Sequence, residues 1–355
     1  MPYIASVTSL ELDHITPQAS LQKLARETFA DSFDDLERLL ESFDNAGIDR
    51  RNLCVPVSYF DQPRNFRERN ENYRNIAIKL TSEAVEGALG KAGLLPGDAT
   101  DFIFVSSTGL STPSIDAFVV NRLRMDAGIK RIPIWGLGCA GGVSGIALAF
   151  RIASGNPDAV IAVAATELCS LTFLKSDKSK SNLIATGLFS DGAACTIVCG
   201  DNVKVAEGRG PGIWFTDSQS RFYYDTIDIM GWEIADDGLK VIFSRDIPAV
   251  VSGTVTGDVR SFLAKNSTDT DEIENFIVHP GGIKVINAYS STLGLRENAL
   301  EITGEVLKKY GNMSSATVMY VLDEFTRRGL RSGKCLMASL GPGFSSEMIL
   351  MEKRT

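Results

Sequence analysis

Reactive side chains are few enough in this chain to be taken one at a time. Cys139 lies in IPIWGLGCAGGVSGIALAF, which reads as a strand, a glycine turn, the cysteine, and then a helix of small and apolar residues. Unpaired N–H groups and the positive end of the helix dipole would surround the sulfur. Such a setting lowers a thiol pKa from about 8.5 towards roughly 3.5–7.5 and makes a nucleophile of it. The flanking glycines would let a substrate carbonyl approach the backbone. The plainer alternative, a buried core cysteine, suits Cys54, Cys169, Cys195, Cys199 and Cys335.

Histidine is scarce, with 2 in the chain. His14 sits in a polar N-terminal stretch. His279, in NFIVHPGGIKVI, follows an apolar strand and precedes Pro-Gly-Gly, a rigid turn that would expose the imidazole above the end of a sheet. A lone histidine is more often structural than catalytic, but a cysteine nucleophile at neutral pH needs a base or a cationic partner. Asn312, in YGNMSSATVMYVLDEF, stands at an expected helix N-cap, where a purely structural role is a strong alternative. So few histidines, with no Cys/His cluster, argue against a zinc site.

The cysteine segment also matches GxGxxG through Gly136, Gly138 and Gly141, the fingerprint of a dinucleotide-binding turn. Its context is partly right, with a strand before and a helix after. It lacks a separate βαβ start, however, and it places a cysteine where a pyrophosphate would lie. A nicotinamide-dependent dehydrogenase is therefore the rival reading from this segment.

The elements around these residues alternate between helices and short apolar runs, the pattern of an α/β protein. Ile76, Leu80, Val85 and Leu89 recur at helical spacing from Tyr73 to Ala92, and Gly93 supplies the stop. Phe102 to Val105 reads as a buried strand. Thr112-Pro113 reads as the cap and first residue of a helix through Asp116, Val119 and Leu123. Ala159 to Ala165 is the run expected of a strand covered on both faces. A loose internal symmetry relates two halves. Gly138-Cys139-Ala140-Gly141-Gly142 opens a helix in the first, which closes with Asp191-Gly192-Ala193-Ala194 and a strand from Cys195 to Val198. Gly311-Asn312-Met313-Ser314-Ser315 opens a helix in the second, which closes with Gly341-Pro342-Gly343 and a strand from Glu347 to Met351. The boundary falls between Gly200 and Gly212, dividing 1–205 from 206–355.

Bulk composition sets the outer limits. The 355 residues, 44% of them hydrophobic and 23% charged, can bury a large core as an ordinary soluble globule. A net charge of −8 argues against nucleic acid as a partner, and requires local lysines or arginines for any anionic ligand. The 6 cysteines are scattered without close-set pairs, which suits a reducing compartment. The start MPYIASVTSLELD lacks the marks of a signal peptide, and no apolar run is long enough to span a membrane. The expectation is a cytoplasmic protein.

Taken together, GLGCAGGVSGI, HPGGIKVI and YGNMSSATVMYVLDE, in the order Cys, His, Asn, with SLGPGFSSEMIL near the C-terminus, closely resemble the type III polyketide synthases. These are the chalcone and stilbene synthases and their bacterial relatives. The resemblance extends over essentially the whole chain, GLFSDGAA and STPSID included. Ketoacyl-ACP synthase III is a cousin on the same fold but lacks HPGG. The resemblance implies a thiolase-like αβαβα five-layered fold built from two similar halves, a homodimer, and a catalytic triad of Cys139, His279 and Asn312. Cys139 would carry the acyl starter and the growing chain as a thioester, with its thiolate paired to His279. His279 and Asn312 would hydrogen-bond the thioester oxygen of malonyl-CoA as CO2 leaves. No metal or redox cofactor is implied, because decarboxylation drives the reaction.

The resemblance also assigns the cavity. Phe189, in GLFSDG, matches the gatekeeper aromatic. Val241 stands where plant enzymes carry a second gatekeeper phenylalanine, and Trp232 where they carry a glycine that sets chain length. Thr172 and Ser314 match cavity-lining positions, and Gly341-Pro342-Gly343 the glycine–proline turn beside the cysteine. Arg50 and Arg51, expected to be exposed, fall where the family binds the CoA phosphates. ATELCSLTF and STPSID look more like bacterial alkylpyrone and alkylresorcinol synthases than plant enzymes. The implied activity is iterative condensation of malonyl-CoA onto a fatty acyl-CoA. A single-round ketoacyl synthase and a non-catalytic dimer partner that kept the fold compete with it.

Overall fold

Short-range signals explain the elements that carry the site. In this computed structural model, residues 1–205, 210–244 and 247–354 are described, without the side chains of 248, 249 and 251. The boundary expected at 205/206 adjoins residues 206–209, which lie outside the described residues. The long helix Phe66–Ala92 begins where Asn65 accepts from the Glu68 N–H and Glu68 accepts from the Asn65 N–H, a reciprocal cap. It ends at Gly93, whose φ of 74° is the left-handed conformation glycine takes without a Cβ penalty. Its first turns are polar, which is why apolar spacing located it only from Tyr73.

The expected strands at Phe102 and Ala159 run Asp101–Val105 and Val160–Leu168. Thr112-Pro113 does not open the next helix. That helix is Ile115–Leu123, and Ser114 before it is extended, so the cis Thr112–Pro113 peptide lies in the preceding loop.

Among the described residues nine strands form one sheet. Their spatial order is Ile273–Val278, Gly333–Gly341, Ser345–Lys353, Ile213–Phe222, Tyr3–Ser9, Asp191–Cys199, Val160–Leu168, Asp101–Val105 and Lys130–Ile134. The seam between the halves is narrow, with Tyr3 opposite Trp214 and Ile4 opposite Ile213. Strand alternation then builds the layers. Phe102 and Phe104 face outer helices that include Phe66–Ala92, while Ile103 and Val105 face the inner helices Gly141–Gly155 and Thr317–Arg328. In the second half Phe276 and Val278 face an outer layer that includes Ile283–Leu293, and Ile277 faces the same inner pair. The result is the five-layered, thiolase-like αβαβα sandwich.

The two inner helices are entered alike. A short 3-10 turn, Gly138–Ala140, leads into Gly141–Gly155, and another, Ser314–Ala316, leads into Thr317–Arg328. A separate hairpin, Met230–Ala235 with Gly238–Phe243, sets Val241 opposite Trp232.

Candidate active site

Cys139 lies in the middle of the first 3-10 turn and is 8% exposed. The glycines around it serve a purpose other than the one read from sequence. A Cβ at Gly142 would lie 2.2 Å from the Ser315 carbonyl oxygen, and one at Gly141 would lie 2.5 Å from Val105 Cγ1. They allow the two helix entries to interlock. The Ser315 carbonyl thus packs on the first turn of the helix, an acceptor where a pyrophosphate would need free donors, which counts against the dehydrogenase reading. The Gly341-Pro342-Gly343 turn closes on the same entry: a Cβ at Gly138 would lie 2.7 Å from Pro342 Cδ, and one at Gly341 2.4 Å from the Leu137 carbonyl oxygen.

His279 follows the strand Ile273–Val278, and its backbone N–H donates to the Ala338 carbonyl at 2.8 Å. The ring is 4% exposed, and neither ring nitrogen has a partner among the described residues. Asn312 is 1% exposed, and its amide orientation is set by two bonds. Oδ1 accepts from the Ser314 N–H at 2.8 Å, and Nδ2 donates to the Gly281 carbonyl at 3.2 Å. The expected N-cap is displaced, because Met313 holds the cap position of the 3-10 turn without a side-chain bond; Asn312 stands one residue earlier, closes a local turn with its oxygen and leaves the second N–H of the amide for a ligand. Cys139, His279, Asn312 and Ser314 line one cavity, with about 690 Å³ of empty space including its mouth. The Cys139 thiol donates to Ser314 Oγ at 3.6 Å.

Burial decides the protonation states of the empty site. It pushes the Cys139 thiol up to about 12 against the opposing Ser314 hydrogen bond, and the His279 imidazole down to about 3. Both groups are therefore neutral. Burial thus opposes the lowered thiol pKa expected from a helix start.

A second pocket, with about 540 Å³ of empty space, adjoins the first. Phe189, Trp232 and Val241 line both. The shared wall is aromatic: the Phe189 ring centroid lies 6.4 Å from Trp232 and 6.2 Å, edge-on, from Phe243. Phe243, which the sequence reading passed over, lines the catalytic cavity alone and brings to it a ring that Val241 lacks. Thr172 lines this second pocket and not the cavity that holds Cys139. Leu53, Phe60, Leu174, Ala185, Leu239 and Val241 are among the apolar residues that line this inner pocket.

The CoA assignment of Arg51 is overturned. Arg51 is 1% exposed, and its Nη1 donates to the carbonyls of Thr186 at 2.5 Å and Phe189 at 2.9 Å. The strand Arg50–Leu53 alternates its faces, which places Arg51 inward when Arg50 points outward. Arg50 pairs with Glu11 at 3.9 Å and lines a charged cleft that shares no residue with the catalytic cavity.

Glu167 was missed. Wholly buried, it accepts from Ser315 Oγ at 2.6 Å, the Ser107 N–H at 2.9 Å and Thr108 Oγ1 at 2.9 Å, and so ties the two halves together. Burial pushes its pKa up to about 7. The signal was available, because a single carboxylate ends an otherwise apolar strand and must be satisfied there. Among the described residues no group of acidic, histidine or cysteine side chains could hold a metal ion.

This site matches a known family over most of the chain. The chalcone and stilbene synthases, N-terminal domain, match residues 60–202, and their C-terminal domain matches residues 216–354. The chain is 42% identical to a "Putative chalcone synthase" of Bacillus subtilis (strain 168), over 99% of its own length and 98% of the relative's. It is 34% identical to the 1,3,6,8-tetrahydroxynaphthalene synthase of Streptomyces peucetius subsp. caesius, over 98% and 92% of the two chains. The crystal structure of the 1,3,6,8-tetrahydroxynaphthalene synthase of Streptomyces coelicolor A3(2), a bacterial type III polyketide synthase, superposes with a TM-score of 0.93, covering 99% of each chain at 26% identity. With a buried cysteine, histidine and asparagine brought to one cavity on the same fold, the chain belongs to the chalcone and stilbene synthase family and is a type III polyketide synthase, an acyltransferase-type enzyme.

Proposed function

We propose that the enzyme condenses malonyl-CoA iteratively onto a fatty acyl-CoA starter and releases an alkylpyrone or alkylresorcinol. The observation that supports this reading is the inner apolar pocket, which shares Phe189, Trp232 and Val241 with the catalytic cavity and offers an alkyl chain a place beyond it. Each methylene buried there would contribute about 0.8 kcal/mol.

The chemistry follows from the three polar groups. Neutral His279 takes the Cys139 proton as Sγ attacks the starter carbonyl, and CoA leaves with that proton. Malonyl-CoA then binds with its thioester oxygen toward His279 and the free N–H of Asn312. Loss of CO2 leaves an enolate whose charge develops on that oxygen, where fixed donors help most. The enolate carbon attacks the acyl-Cys139 carbonyl, a carbon–carbon bond forms as the bond to Sγ breaks, and the extended β-ketoacyl chain is left on CoA. The freed thiolate attacks that thioester, CoA leaves, and the chain is back on Cys139 for the next round. The substrates are soluble CoA thioesters, and the reading has the enzyme working as a cytoplasmic homodimer of chains divided near 205/206. Among the described residues no helix is long and apolar enough to cross a membrane.

A second reading is favoured by the relatives named for 1,3,6,8-tetrahydroxynaphthalene, a product without an alkyl tail. Mass spectrometry of products from a panel of acyl-CoAs with malonyl-CoA separates the two. Products carrying the starter's alkyl chain and two or more extensions support the first. A tail-free aromatic product from malonyl-CoA alone supports the second, and a one-extension product would make the enzyme a single-round ketoacyl synthase.

A further inference from the structure

Arg51 is an oddity among the buried residues. Its guanidinium is enclosed, Nε and Nη2 have no partner among the described residues, and the two Nη1 bonds anchor its head. Those bonds go to the C-terminal end of the helix Lys180–Leu188, whose last turn carries no basic residue of its own. Carbonyls at a helix end are left without intrahelical donors, and a cation there is favoured by the dipole. Burial lowers the guanidinium pKa to about 9, with Asp191 opposing, so the head stays charged at neutral pH.

What leaves that helix end is the gatekeeper segment. Phe189 forms a parallel bridge with Asn312: the Asn312 N–H donates to the Leu188 carbonyl at 3.1 Å, and the Ser190 N–H donates to the Asn312 carbonyl at 2.8 Å. Arg51 touches the other side of this bridge as well. Gly311, at φ 76°, lies so close that a Cβ there would meet Arg51 Cγ at 2.8 Å. Head and stem of one side chain therefore hold the two segments that the bridge joins.

We propose that Arg51 is a positioning residue for decarboxylation: by capping the helix Lys180–Leu188 and packing on Gly311, it sets the place of Asn312 in the catalytic cavity. The inference rests on the reading that Asn312 serves decarboxylation. A merely structural arginine would affect all steps through the folded fraction. A positioning arginine affects the step that needs Asn312 and spares acylation of Cys139.

The test measures CO2 release from malonyl-CoA and formation of the acyl-Cys139 adduct by intact mass. The variants are Arg51→Lys, Asn312→Ala and the pair combined, with folding followed by near-UV circular dichroism. Arg51→Lys keeps the charge but loses the fork, so it is expected to lower CO2 release tenfold or more while adduct formation stays within twofold. In the Asn312→Ala background its further effect should be under twofold, because coupled residues are non-additive. Equal loss of both steps, or a penalty undiminished without Asn312, overturns the proposal. If Arg51→Lys does not fold, Arg51→Gln is held to the same outcomes. Asn312→Ala losing CO2 release while the arginine variants keep it defeats this inference alone. Asn312→Ala keeping CO2 release defeats the decarboxylation reading and this inference with it.

Discussion

The two cavities share a wall yet differ in what lines them. The outer one gathers Cys139, His279, Asn312 and Ser314 around one space, from three separate segments of the chain. The inner one presents chiefly leucine and phenylalanine, with Thr172, Asn182 and the enclosed Arg51 among its polar members. The difference teaches that chemistry and substrate length can be separated: polar geometry sets the reaction, and apolar volume behind Phe189, Trp232 and Val241 sets what is carried.

That separation can be broken in several places. The largest effect is expected from Cys139→Ala, which should abolish condensation; residual product formation would mean another nucleophile. Next, Asn312→Ala should lower CO2 release by about 10²–10³, the usual cost of one oxyanion donor, while the acyl-Cys139 adduct still forms. Loss of the adduct as well would reduce Asn312 to a purely structural residue.

The protonation of the outer cavity has its own signature. With the thiol pushed up to about 12, the thiolate fraction rises about tenfold per pH unit below that value. Iodoacetamide labelling of Cys139 in the empty enzyme should therefore climb steadily from pH 6 to pH 9. A plateau beginning near pH 6 would show a thiolate–imidazolium pair that overcomes burial.

The inner cavity is sharpened by filling it. Val241→Phe narrows the shared wall and should cost a long fatty acyl starter roughly tenfold in kcat/KM, equal to about 1.4 kcal/mol or nearly two methylenes. Short starters should change little. Thr172→Leu intrudes on the inner pocket alone and should give a smaller, several-fold loss for long starters with CO2 release intact. A long-starter preference that survives both substitutions would place the alkyl chain elsewhere.

Much of the site was legible because its signals are local. Cys139 before a helix, His279 after an apolar strand and before Pro-Gly-Gly, and Asn312 before Ser314 are each placed by their neighbours in the chain. Strands such as Val160–Leu168 and the helix closed by Gly93 were legible for the same reason, apolar runs and glycine stops being short-range features. The helix start at Ile115 was displaced from Thr112-Pro113, because which residue turns from extended to helical backbone depends on the loop it must close.

Amino-acid order by itself determined which residues are reactive, the alternation of strand faces and the family to which these motifs point. Tertiary structure alone decided burial. Arg51 and its neighbour Arg50 read alike in the chain, but one is enclosed against Phe189 and Gly311 while the other meets solvent and Glu11. Cys139 looked like a lowered-pKa thiol until layers from both halves closed over it, and Glu167 became a tie between halves only once Ser315 stood beside it. Dielectric surroundings depend on every segment that packs around a group, and those segments come from positions far apart in the chain.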